Sequence, residues 1–270
     1  MSRATCATIH LDALRKNLHR IRLAAPASQV MAVVKADGYG HGLERVARAF
    51  SAADAFGVAA LSDAERLRAA GEIKRIVLLS GPDEAADISR LRDLQVDIVI
   101  HHESQLRLLS EAGAGDSLRV WLKIDTGMSR LGFAASQAME VYRWLRECRH
   151  VDPDIVCMTH FACSDEFAKN MTSAQIQRFA EALDGADCVR SMANSAAVLG
   201  WPQSHAQWIR PGGALYGLSS VEGRTGVQLG LQPAMTLSTR LIADKWIEPG
   251  TTVGYGAGFV APQRMRLGIA

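Results

Sequence analysis

Residues 31–42 read Met31-Ala-Val-Val-Lys35-Ala-Asp-Gly-Tyr39-Gly-His-Gly42, a short apolar run ending in one lysine and followed by a glycine-rich turn. A continuous apolar run of this length suits a strand buried on both faces of a parallel sheet. The period then changes. Leu43, Val46, Ala47 and Phe50 stand at i, i+3, i+4 and i+7, which is one face of a helix. Strand, turn and helix make one βα unit, with a single amine at the carboxyl end of a buried strand. Read alone, that lysine is either a solvated charge or a partly desolvated amine suited to Schiff-base chemistry with an aldehyde. The flexible turn beside it can bring backbone N–H groups to an anion, which a phosphate-bearing aldehyde cofactor would need.

The alternation continues outward from this unit. Further apolar runs at Phe56–Ala60, Arg75–Leu79, Val96–Ile100, Arg119–Ile124, Asp154–Met158, Cys188–Ser191 and Gln207–Ile209 join Val30–Val34 as predicted strands. Ser62-Asp-Ala-Glu65 reads as a capping box opening the helix after the second strand. Eight strand–helix alternations over about 200 residues predict an α/β fold, a (β/α)8 TIM-type barrel, whose active sites lie at the carboxyl ends of the strands. Lys35, Lys123, His160, Asn194 and Arg210 fall at the ends of different predicted strands. After Gly217 the pattern becomes a loop and then strand-like, with turn signals at Pro249-Gly250 and Gly254 to Gly258. The expected division is therefore a barrel over residues 1–222 and the start of a mostly-β C-terminal domain over 223–270. Residues 1–12 can supply a strand to that second domain. The run Leu267-Gly-Ile-Ala270 ends inside a predicted strand, which would leave unpaired edges.

Composition excludes several classes of function. The chain has 270 residues, 48% of them hydrophobic, room for one large domain and part of another. Thirty basic and 28 acidic residues give a net charge of +2 with no basic block, so neither nucleic acid nor an anionic membrane is indicated. No apolar run approaches the ~18 residues of a membrane span. The first ten residues lack the apolar core of a signal peptide. Five cysteines, an odd number without a Cys-x-x-Cys pair, suggest neither a disulfide framework nor a zinc knuckle, and the expected location is the reducing cytoplasm. If His101 and His102 continue the strand before them they point to opposite faces, so no metal site is expected.

Beyond residues 31–42, Lys123-Ile-Asp-Thr-Gly-Met-Ser-Arg130-Leu-Gly-Phe133, Thr159-His160-Phe161-Ala162, Ala193-Asn194-Ser195-Ala196-Ala197, Arg210-Pro-Gly-Gly213 and Val253-Gly-Tyr255-Gly256 follow in order. This series resembles that of the alanine racemases, pyridoxal 5'-phosphate enzymes that interconvert L- and D-alanine, with the catabolic branch nearest. The resemblance implies that Lys35 carries the cofactor as a Schiff base and acts as the base toward D-alanine. It implies Tyr255 as the base toward L-alanine, reaching the cofactor of the partner subunit in a homodimer. An isolated strand tyrosine would otherwise read as a packed ring with its hydroxyl at water.

By the same resemblance, Arg210 faces the pyridine nitrogen, to which a guanidinium donates a hydrogen bond but hardly surrenders a proton. Tyr39, Ser195, Gly212 and Gly213 hold the phosphate, and Arg130 takes the substrate carboxylate. Lys123 is a carbamylation candidate, which would turn a cation repelling Arg130 into an anion holding it. His160 lies beside the cofactor ring, hydrogen-bonded towards Arg210, with Asn194 as a supporting amide. Family members continue well past residue 270, so the chain reads as truncated, with weak cofactor binding and poor turnover expected. A cofactor-binding protein without racemase activity and a racemase of broader specificity, such as for serine, are the alternatives.

Overall fold

The computed structural model describes residues 4–270. They divide into two compact units, His10–Ala234 on one side and the strand before His10 with Met235–Ala270 on the other. The larger unit is built on eight strands: β1 (Gln29–Val33), β2 (Ala55–Val58), β3 (Arg75–Leu78), β4 (Val96–Ile100), β5 (Val120–Asp125), β6 (Val156–Met158), β7 (Val189–Ser191) and β8 (Trp208–Ile209). Hydrogen bonding runs in the order β4-β3-β2-β1-β8-β7-β6-β5, and β4 pairs with β5 to close the ring. Every pairing is parallel; Met31 stands opposite Ala55, Ile98 opposite Val120 and Trp208 opposite Gln29. The eight predicted strands are all present, each shifted by no more than two residues at either end. This is the (β/α)8 barrel that the alternation predicted.

One apolar cluster fills the ring. Met31, Ala55, Val77, Val99, Trp121, Val156, Met158 and Trp208 supply it from seven strands, and Val189 of β7 packs against it. Burying each of the larger side chains is worth about 1.5–3 kcal/mol. At the amino-terminal end of the strands a charged floor underlies this cluster. The Asp97 carboxylate, 1% exposed, accepts from Arg119 Nε at 2.8 Å, from Trp121 Nε1 at 2.9 Å and from Arg75 Nε. The Arg75 guanidinium also lies over the Trp121 and Trp208 rings, 5.6 and 5.5 Å from their centroids. A buried carboxylate with all these partners is tolerated; stripped of them it would be an uncompensated charge.

The outer helices are α1 (Leu11–Ala24), α2 (Leu43–Ala49), α3 (Leu61–Ala69), α4 (Ala85–Asp93), α5 (Glu103–Ser110), α6 (Ala138–Glu147), α7 (Met171–Ala182) and α8 (Ser195–Gly200). In α2 the predicted stripe is the buried one, Leu43, Val46 and Ala47, with Phe50 just beyond it. The capping box read at Ser62 is absent. Only two residues separate β2 from α3, so the first turn closes earlier, with Ala60 accepting from Asp63 N–H at 3.1 Å. Ser62 is thus already inside the helix.

The boundary between units also lies further on than residue 222. Asn17 of α1, fully buried, donates to the carbonyls of Leu215 and Gln232 and accepts from Gln232 N–H at 2.7 Å. Leu229 and Leu231 are buried, and Ala234 N–H donates to Tyr216 O at 3.1 Å. These bonds tie residues 223–234 to the barrel unit.

Within the smaller unit, Cys6–Ile9 pairs antiparallel with Met235–Ser238, Ala243–Ile247 with Met265–Ile269, and Thr252–Val253 with Phe259–Val260. Among the described residues no helix is long and apolar enough to cross a membrane.

Candidate active site

After β1 the chain makes an uncommon turn. Ala36, Asp37 and Gly38 have φ/ψ of 54/54°, 53/47° and 62/45°, and Tyr39 has φ 53°, so the segment winds left-handed. This conformation costs roughly 1–2 kcal/mol for each residue with a Cβ. The turn read as flexible is instead pinned. Gly38 N–H donates to Val34 O, Gly40 N–H to Ala36 O and Gly42 N–H to Asp37 O, at 2.9–3.0 Å. Asp37 Oδ1 accepts from Leu43 N–H and from Arg66 Nη2, and the Arg66 hydrogen bond holds its carboxyl below the usual range. At Gly38 a Cβ would stand 2.9 Å from Val46 Cγ2, so glycine is required.

The turn leaves Lys35 half-buried and swings Tyr39 onto Tyr216, the rings stacked at 4.6 Å and 27°. Tyr216 in turn donates to Val33 O at 3.1 Å.

A cavity of about 510 Å³ lies at this end of the barrel. Lys35, Tyr39, Lys123, Arg130, His160, Asn194, Ser195, Arg210, Gly212 and Gly213 all line it. These ten come from the ends of five strands, β1, β5, β6, β7 and β8, and Ala59 and Ser80, after β2 and β3, add to the lining. Tyr255 is not among these residues. It belongs to the smaller unit, where its side chain is fully exposed.

The cavity is a field of cations. Lys123 is 7% exposed, and among the described residues no carboxylate pairs with its amine. Burial, then Arg210, Arg130 and Lys35, bring its pKa down to about 8 against a smaller opposing pull from Asp125. Burial first, then Arg210, Lys123, Arg130 and Lys35, lower His160 to about 3, so its imidazole is neutral. Arg210, 4% exposed, is lowered by burial to about 10 and remains a cation at neutral pH. Its Nη1 donates to Ser191 Oγ at 2.6 Å, and Nη2 to Met192 O at 3.3 Å and to Thr159 O. The hydrogen bond expected from His160 towards Arg210 is not formed among the described residues. Groups at the ends of β6 and β7 take the terminal guanidinium nitrogens instead.

Ser195 Oγ accepts from Gly212 N–H at 2.9 Å and Ala214 N–H at 3.2 Å. Both acceptor sites being used, the hydroxyl keeps its one proton to donate. A Cβ at Gly212 would collide with Tyr39 Oη, whereas one at Gly213 would meet only Leu218 at ordinary contact, 3.7 Å. Asn194 is a helix cap. Its Oδ1 accepts from Ala197 N–H at 3.1 Å and from Ser164 Oγ at 2.8 Å, fixing α8 and with it Ser195.

Arg130, which is exposed, follows a loop gathered on one carboxylate. Asp125 Oδ1 accepts from the N–H groups of Gly127, Met128 and Ser129 at 2.9–3.1 Å. At Gly132, φ 129°, a Cβ would stand 2.6 Å from Asp125 N, which requires glycine there.

Ser191 and Tyr216 escape sequence reading, and Thr159, though it opens the Thr159–Ala162 motif, is not marked there as a partner of Arg210. Each acts through contacts with residues distant in sequence. His101 Nε2 meets Ser80 O at 2.8 Å, and His102 Nδ1 accepts from Ser104 N–H to cap α5. Among the described residues no group of three or more His, Cys, Asp or Glu is placed to hold a metal.

Comparison with known proteins agrees with this architecture. A family profile described as "Alanine racemase, N-terminal domain" matches residues 9–220. An alanine racemase of Shewanella loihica is 47% identical over 263 residues, 97% of this chain and 74% of that one. One from Halorhodospira halophila is 46% identical over 100% of this chain and 74% of its own length. The crystal structure of the biosynthetic alanine racemase from Pseudomonas aeruginosa superimposes with a TM-score of 0.94 at 40% identity, covering 99% of this chain and 75% of that one. Likeness to a biosynthetic enzyme extends the resemblance beyond the catabolic branch. Matched over most of its length, this chain belongs to the alanine racemase family.

Proposed function

We propose that the chain interconverts L- and D-alanine, with pyridoxal phosphate held on Lys35. The observation that carries this reading is one cavity offering three chemistries that match the three ends of that cofactor. Lys35 supplies an amine for the aldehyde. Tyr39 and Ser195 supply hydroxyls for the phosphate, in a cradle that any side chain at Gly212 would fill. Arg210 supplies a buried guanidinium for the ring nitrogen and, lowered only to about 10, keeps its proton while donating a hydrogen bond.

When bound, the cofactor withdraws electrons from the Cα–H bond of an amino acid joined to it, making that proton transferable. Lys35 Nζ then takes or returns the proton on one face. One base returning its own proton would largely retain configuration, so a second is needed on the other face. For this we propose the Tyr255 hydroxyl of a second copy of the chain, supported by its full exposure. Arg130 steers the alanine carboxylate. His160, neutral, adds no charge to a site already crowded with cations.

Lys123 is proposed as a carbamate. With its pKa near 8 a useful fraction is unprotonated at neutral pH. That amine can bond to the carbon of CO2 and release a proton, leaving an anion among Arg130, Arg210 and Lys35.

The test is a chiral assay with L-alanine, D-alanine and serine, beside borohydride reduction of the cofactor-loaded protein and peptide mapping. Alanine should racemise faster than serine, and the cofactor mass should appear on the peptide holding Lys35. Lys35→Ala should abolish both. A label on another lysine would overturn the assignment. Retained cofactor with no racemisation would favour the binding-protein reading, and equal rates on serine the broader racemase.

A further inference from the structure

Helix α7 carries a glutamine, Gln175, that is completely buried and bonded at every polar atom to the rim of the barrel. Its Nε2 donates to His160 O at 3.0 Å, and its Oε1 accepts from Ala162 N–H at 3.0 Å. That is the pair of bonds a residue of a neighbouring parallel strand would make opposite Phe161. Strand β6 ends at Met158, so the glutamine amide extends the ladder past the strand and holds the chain where His160 leaves it. The same Nε2 reaches Thr126 Oγ1 at 3.2 Å, and that hydroxyl lies 2.7 Å from Thr159 Oγ1. Thr159 O accepts from Arg210, and Thr126 O from Arg178 of α7. Packing is equally close, since a Cβ at Gly127 would meet Arg178 Nη1 and Met171 Cε at 3.0 Å. One amide thus joins the end of β6, with His160, to the loop that leads to Arg130.

We infer that Gln175 is a positioning residue, holding His160 and the Arg130 loop in mutual register over the cavity without touching what binds there. What those groups act on rests on the racemase reading; the register itself does not. Loss of the amide leaves His160 O and Ala162 N–H without this partner and frees the backbone there to shift. A shift of about 1 Å can cost on the order of a hundredfold in rate.

The test uses Gln175→Met, which keeps volume and loses all three bonds, and Gln175→Glu, which at neutral pH keeps the acceptor and loses the donor. Imidazole 15N signals are recorded from histidine-labelled protein, with His160 assigned by its absence in His160→Asn. Both variants should fold and shift the His160 signals while those of the exposed His102 stay in place. In the racemase assay KM for alanine should rise and kcat fall, lowering kcat/KM by about ten- to hundredfold. If Gln175→Met does not fold, Gln175→Glu decides. His160 signals coincident with the parent's in a folded variant would overturn the inference, however much stability is lost. A parent without racemase activity would defeat the functional reading and leave the spectroscopic result to judge Gln175.

Discussion

Lys123 shows what a single buried amine does to the balance of a site. Its pKa is 10.5 when exposed and about 8 here, so folding disfavours its protonated form. The penalty is complete below about pH 8 and fades as pH rises towards 10.5. At ~1.4 kcal/mol per pKa unit it amounts to about 3 kcal/mol. In CO2-free buffer at pH 7, Lys123→Met should therefore unfold at higher urea than the parent, with the advantage shrinking between pH 8 and 10.5. Bicarbonate should raise the parent's midpoint and leave the variant's unchanged. A variant less stable than the parent without CO2 would contradict the penalty. At this scale Lys35, Lys123, His160 and Arg210 were legible because each stands at or near the carboxyl end of a predicted strand. Gln175 and Tyr216 were not, because a glutamine inside an amphipathic helix or a tyrosine after two glycines acquires its task only from residues far along the chain.

Among the elements, the left-handed turn at Ala36–Tyr39 departs furthest from what its letters suggest. Glycines announced a turn, but nothing in Ala36-Asp37 announces positive φ. The winding is imposed by the carbonyls of Val34, Ala36 and Asp37 and by the Arg66 bond to Asp37. Ala36→Gly relieves about 1–2 kcal/mol of local strain against about 0.5–1 kcal/mol of added unfolded-state freedom. The variant should gain up to about 1.5 kcal/mol in urea denaturation, and a clear loss would argue that the alanine methyl is packed rather than strained. The eight strands were legible for the opposite reason. Most positions of these short strands are apolar, and such runs leave few alternative readings even where Asp97, Lys123 or Arg190 interrupts them. The capping box at Ser62 failed because connection length, not composition, set where α3 begins.

For the molecule as a whole, the proposed division of labour between Lys35 in one unit and Tyr255 in the other makes a prediction about mixtures. Lys35→Ala and Tyr255→Phe chains should each racemise poorly. Refolded together in equal amounts, half the dimers are mixed and each holds one intact pair, restoring about a quarter of the parent's activity. Activity no greater than the sum of the separate variants would sink the assignment of Tyr255 to a second copy. The unit boundary was only roughly legible, since the loop-like residues 223–234 are claimed for the barrel by Asn17, a polar residue on a helix two hundred residues earlier.

The charged floor around Asp97 bears on traffic. With Arg75, Arg119, Trp121 and Trp208 gathered beneath the apolar filling, the barrel is a cup rather than a tube. Whatever reaches Lys35 must arrive and depart through one mouth, so an incoming molecule waits for the outgoing one.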